Sequence, residues 1–140
     1  PAYFDGYLAN IATYQAAYAA AHAPTPPTLA DAQTAALTNW NTQINRFICS
    51  YFDTGTQISF IKLYLQLTDA TQKTAIATVD EWVSVVLAYY YDIKAQLQAA
   101  ATLADIAAIQ AAVDLAGRYG PSGSVLAVPA VRLGDFYGDD

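Results

Sequence analysis

The chain has 140 residues, 12 of them acidic and 6 basic, for a net charge of −6. Hydrophobic residues make up 55% and charged residues 13%, against about 25% charged in an ordinary soluble domain. Such a chain has ample apolar surface to bury, which excludes a disordered acidic tail, and its length fits one domain. An isoelectric point near 4.3 and six scattered cations argue against a basic face for nucleic acid.

Cys49 stands alone, so no internal disulfide can form. With only Cys49 and His22 to offer, the chain cannot assemble a zinc site of four cysteine or histidine ligands. The N-terminus lacks the cationic-then-apolar order of a secretory signal, and Pro1 reads as the residue after a removed initiator methionine. The longest uncharged apolar run, Val83 to Tyr91, falls well short of the roughly 20 residues a spanning helix needs. The expectation is a protein made in the cytoplasm, with no membrane attachment.

Phe4, Tyr7, Ile11, Tyr14, Tyr18 and Ala21 recur at spacings of three and four, an apolar seam along one helix face. Placed in a core, that seam would need partners for its phenol hydroxyls. The helix should end by His22, because Pro24, Pro26 and Pro27 force an extended linker. Thr28 then reads as an N-cap, with Asp31 three residues on. Leu37, Trp40, Ile44, Phe47 and Tyr51 continue the rhythm, and Gly55 reads as its stop.

Residues 58–67 are ambiguous by period. Ile61, Leu63, Leu65 and Leu67 alternate like a strand, while Ile58, Ile61 and Leu65 fit a helix. A lone strand among helices would leave its backbone groups unpartnered, which favours helix. Asp69 and Gln72 then open the strongest segment. Ile76, Val83, Tyr90 and Leu97 fall seven apart, as do Val79, Val86, Ile93 and Ala100. Four heptads make a helix on the order of 45 Å long, and Trp82, Val85 and Tyr89 widen its face beyond a single seam. Thr102 and Asp105 start a last helix through Ile106, Ile109, Val113 and Ala116, ending at Gly117.

Beyond Gly120-Pro121-Ser122-Gly123 the helical rhythm is lost. The segment from Val125 through Pro129 to Tyr137 reads as an extended arm, packed on its own chain or on a neighbour, with the neighbour favoured. The predicted architecture is therefore all-α. It is an antiparallel bundle of four to five helices over residues 1–120, with an extended C-terminal arm over 121–140.

Reactive chemistry is hard to place. His22 reads as a solvated surface residue and Cys49 as a small core residue without a nearby base. Asp80 and Glu81 are adjacent, so they diverge by about 100° on a helix and cannot share a proton. Asp135, Asp139 and Asp140 lack the spacing of a calcium loop, and the glycines at 117, 120 and 123 follow a helix instead of opening one. No catalytic residue, cofactor or metal is assigned.

The expected role is a structural subunit that associates with itself or with other structural proteins. Its candidate interface residues are Tyr7, Tyr14, Tyr18, Trp82, Tyr89, Val125, Val128, Val131, Phe136 and Tyr137. Few lysines with abundant Ala, Thr, Gln and Tyr resemble the composition of accessory proteins in bacteriophage heads, necks and tails, a likeness that no motif accompanies. The alternative is a helical binding module with an aromatic groove for a peptide or small hydrophobic ligand; an enzyme working through carboxylates comes third.

Overall fold

The computed structural model describes the backbone of residues 2–137 and the side chains of residues 5–137. Those residues are all-helical, and no strand occurs among them. Six α-helices follow in order: α1 (Ala2–Ala21), α2 (Leu29–Tyr51), α3 (Thr54–Gln66), α4 (Ala70–Ala99), α5 (Leu103–Ala112) and α6 (Leu115–Tyr119). A 3₁₀ turn spans Leu133–Phe136.

Local capping chemistry sets most of the helix starts. The Thr28 hydroxyl accepts from the Asp31 N–H at 3.1 Å, and the Asp69 carboxylate accepts from the Gln72 N–H at 2.8 Å. At Thr102 the box is reciprocal: its hydroxyl takes the Asp105 N–H, and the Asp105 carboxylate takes the N–H groups of Ala101 and Thr102. Each pairing satisfies donors that the first helical turn leaves open.

Two expected boundaries are corrected. Gly55 does not stop α2; it lies inside the first turn of α3. The break falls at Phe52–Asp53, where Asp53 takes the Thr56 N–H at 2.7 Å and starts the next helix. The last predicted helix is likewise two helices. Asp114 takes the Gly117 N–H at 2.9 Å, capping α6 and interrupting the run from Ile106 to Ala116. In both places a short carboxylate competes for backbone amides and opens a new helix.

The core is built on α4. Its buried side chains are Ile76, Val79, Trp82, Val86, Tyr89, Ile93 and Leu97, with Ala100 at the C-cap. Val83 and Tyr90, expected in the central seam, are only half-buried on its flank. The stripe has rotated toward Trp82 and Tyr89, because α4 meets α2, α3 and α5 rather than one partner. Gln33 bonds the carbonyl of Leu97 and Trp40 the carbonyl of Tyr90, while the Phe47 ring lies 5.8 Å from Trp82. As α2 advances its contacts descend α4, so the two helices run antiparallel.

Trp82 is fully buried, at 0% exposure. The rings of Phe47, Tyr51 and Phe52 lie 5.7–5.8 Å from it, and its indole N–H donates to the Tyr119 carbonyl at 2.9 Å. Burying an aromatic ring of about 200 Å² contributes up to about 5 kcal/mol. The bonded N–H removes the desolvation cost a tryptophan would otherwise carry.

The C-terminal segment turns back along the core. Val125 and Leu126 donate to the Arg118 carbonyl and Val128 donates to the Gly120 carbonyl. At Gly120 an added Cβ would stand 2.5 Å from the Ala116 carbonyl oxygen, so the close approach requires glycine. Leu126, Val128, Val131, Leu133 and Phe136 pack against the chain's own core, and the Phe136 ring meets Phe60 edge-on at 5.9 Å. Most of the apolar surface expected to reach a neighbour is thus covered within the chain.

The first helix also departs from expectation. The α1 seam does not enter the core: Tyr7, Leu8, Tyr14 and Tyr18 are exposed, and Ile11 is half-buried. Phe4, the first residue of that seam, lies outside the described side chains. No secondary structure forms over residues 24–28, so the prolines carry α1 away on an extended linker.

Val86→Asp places an unpartnered charge at a position with 0% exposure, and a loss of more than about 3 kcal/mol is expected. Thr78→Asp on the exposed face should stay within about 0.5 kcal/mol; chemical denaturation of both variants checks the assigned face. The Thr56 backbone N–H, then its hydroxyl, hold the Asp53 carboxyl below its ordinary range. Its stabilising effect is complete above the unfolded aspartate value and is lost as pH falls through the lowered one. Stability–pH curves of the wild type and Asp53→Asn should therefore converge at the acid end, and a curve unchanged by the substitution would refute the assignment.

Candidate functional site

The polar residues weighed for chemistry do not converge. Asp80, Glu81 and Asp92 are exposed, and Asp92 accepts only from Gln96, one turn along its own helix. Asp135 accepts from the Arg132 N–H in the 3₁₀ turn, and Asp139 and Asp140 lie outside the described residues. His22 is exposed, stacked on Tyr18 at 3.9 Å and bonded through Nδ1 to the Tyr18 carbonyl. No group of three or more His, Cys, Asp or Glu among the described residues is placed to hold a metal ion. No helix among them is long and apolar enough to cross a membrane.

Cys49 is exposed, contrary to the expected core position. Its neighbours mislead: Ile48 is buried and Phe47 half-buried, but each helical step turns a side chain by about 100°. One residue past the buried Ile48, the thiol faces out.

What the fold does present is apolar. α3 carries two seams on opposite faces. Phe60, Leu63 and Leu67 turn toward the core, while Ile58, Ile61 and Leu65 form a second stripe at the same spacing and remain exposed. Between that second stripe and α4 runs a groove of about 350 Å³, bounded on the α4 side by Ile76, Ala77, Val79, Asp80 and Val83. Its α3 wall is Gln57, Phe60, Ile61, Tyr64 and Leu65. Gln57 already donates to the Phe52 carbonyl at 2.7 Å, and Lys73 sits over the Tyr64 ring at 4.7 Å. The lining is largely aliphatic and aromatic, with Gln57, Tyr64 and Asp80 supplying its polar side-chain atoms.

The predicted interface residues divide into three groups. Tyr7, Tyr14 and Tyr18 form an open stripe on α1, and Val125 and Tyr137 are exposed on the C-terminal segment. Val128, Val131 and Phe136 are half-buried against the core. Trp82 and Tyr89 are not available to a partner at all. Trp82 is enclosed by its own aromatic neighbours, and the Tyr89 ring lies between Trp40, Tyr119 and the Arg118 guanidinium. Sequence reading missed Leu8, Ile58, Ile61, Tyr64 and Leu65 as surface residues. The signal was present in α3, whose apolar residues are too many for one face.

With Cys49 exposed, a thiol reagent should label the folded chain fully without denaturant. Labelling that begins only on unfolding would return Cys49 to the core. Against known proteins, the chain matches no family model, no curated protein and no solved structure.

Proposed function

We propose that the chain is a non-enzymatic structural subunit of a larger protein assembly, packing on its neighbours through aromatic and aliphatic helix faces. One observation carries this reading: two apolar stripes, on α1 and on the outer face of α3, stand in solvent without a partner in the chain. Apolar patches of this extent on a folded protein mark places of association. In this reading α2 to α5 supply a rigid antiparallel bundle, and the C-terminal segment lends the exposed Val125 and Tyr137 to the contact surface. The composition favours a bacteriophage head, neck or tail accessory protein as the kind of subunit.

A second reading has its own support. The α3–α4 groove, at about 350 Å³, falls at the small end of ligand pockets, which run from about 300 to 1,000 Å³. A helical module holding a peptide or small hydrophobic ligand would use it, and a molecule retained in the native mass spectrum would favour that reading.

The assembly reading is tested by sedimentation velocity on the full chain from micromolar to millimolar concentration. It is tested also by locating the chain in its native particle or extract. Concentration-dependent association, or a stoichiometric structural partner, is expected. A chain that stays monomeric throughout and accompanies no structural protein in its native source would overturn it.

A further inference from the structure

We propose that α1 of one copy seats in the α3–α4 groove of a second copy, the two chains exchanging these helices to close a dimer. The inference rests on the assembly reading and names the partner for the two open stripes.

The fit begins with shape. Tyr7, Ile11, Tyr14 and Tyr18 fall within about 60° around α1 at 100° per residue, a narrow ridge suited to a groove. Along the helix that ridge runs about 17 Å, against about 12 Å from Gln57 to Leu65 on α3. Both sides are open: Tyr14 is 76% exposed and Leu65 is 79% exposed.

Charge then sets direction. The sole charged side chain in α1 is Asp5, near its start. One of the chain's six cations, Lys73, stands near the Leu65 end of the groove, over the Tyr64 ring. Seating α1 with Asp5 toward Lys73 runs it antiparallel to α3, with Tyr14 beside Ile61 and Tyr18 toward Val83.

Area decides for two exchanged helices over one. Three tyrosines with Leu8 and Ile11 would bury roughly 500 Å² of α1, and the groove a similar area. One seated helix therefore gives about 1,000 Å², below the roughly 1,200–2,000 Å² of stable specific interfaces. Two reciprocal seats reach about 2,000 Å², which a two-fold dimer provides between one pair of chains. The linker supports exchange over self-closure. Pro24, Pro26 and Pro27 hold it extended at about 3.1 Å per residue, and in the structure α1 stays clear of its own core.

Light scattering on full-length variants tests the exchange. The unmodified chain should show a dimer mass. Tyr14→Asp on α1 and Leu65→Asp on α3 should each halve it with the helical circular-dichroism spectrum retained, since neither side chain is part of the core. Mixing the two variants should restore part of the association, because one intact helix then meets one intact groove.

Cross-linking separates exchange from self-closure. In a Cys49→Ser background, oxidising a chain with Tyr14→Cys and Ile61→Cys should give a covalent dimer. A covalent monomer would place α1 in its own groove and overturn the exchange. Association that survives both aspartate variants would also overturn it, leaving the assembly reading intact. A full chain monomeric at all concentrations overturns the exchange too, and the assembly reading then depends on a different structural protein in the native source.

Discussion

The burial of Trp82 is the constraint from which the rest of the core follows. A ring of that size at the middle of a 30-residue helix needs covering from several directions, and each cover comes from a different part of the chain. Phe47, Tyr51 and Phe52 arrive at the end of α2, and Tyr119 supplies the carbonyl that satisfies the indole N–H. Trp40 plays a parallel part half-way up, bonding the Tyr90 carbonyl while its ring meets Tyr89. Both tryptophans thereby combine large apolar area with a directional bond. That pairing fixes how α2 and the C-terminal segment lie on α4.

A core so centred explains the uneven surface. Along the upper half of α4, α2 and α5 enclose the stripe between them. Toward the start of α4, before Trp82, the packing partner is α3, which in turn meets the 3₁₀ turn. The turn covers one side through Phe136 and Phe60, and the groove on the other side is left open. The open stretch runs about 12 Å along α3, room for about two turns of a further helix. The chain owns such a helix in α1 but carries it on a proline linker away from the core.

The features legible in the sequence were those decided within a few residues. Thr28, Asp69 and Thr102 start helices because a side-chain oxygen and an amide three residues on form a pair wherever the rest of the chain goes. The helical state of 58–67 was readable because a single strand has nowhere to send its backbone bonds. Asp53 and Asp114 were missed since a carboxylate inside an apolar series looks like the polar face of a continuing helix. Periodicity also shows which residues share a face without showing what that face meets. The α1 seam shares a face that meets solvent, Trp82 and Tyr89 lie in the core and not at the surface, and α3 carries a second, exposed stripe. Cys49 failed for a related reason: apolar neighbours in sequence are not neighbours on a helix.

The bond between Trp82 and Tyr119 joins residues 37 positions apart, and this separation orders events at the ribosome. A nascent chain can pair α2 with α4 as soon as both have emerged, yet its central indole N–H then has only water to donate to. Only when residues 115–136 follow does the ring gain its acceptor and Phe60 gain Phe136. Translation thus delivers the keystone of this fold before its socket, and a transcript cut short after α5 would release a chain unable to finish its own interior.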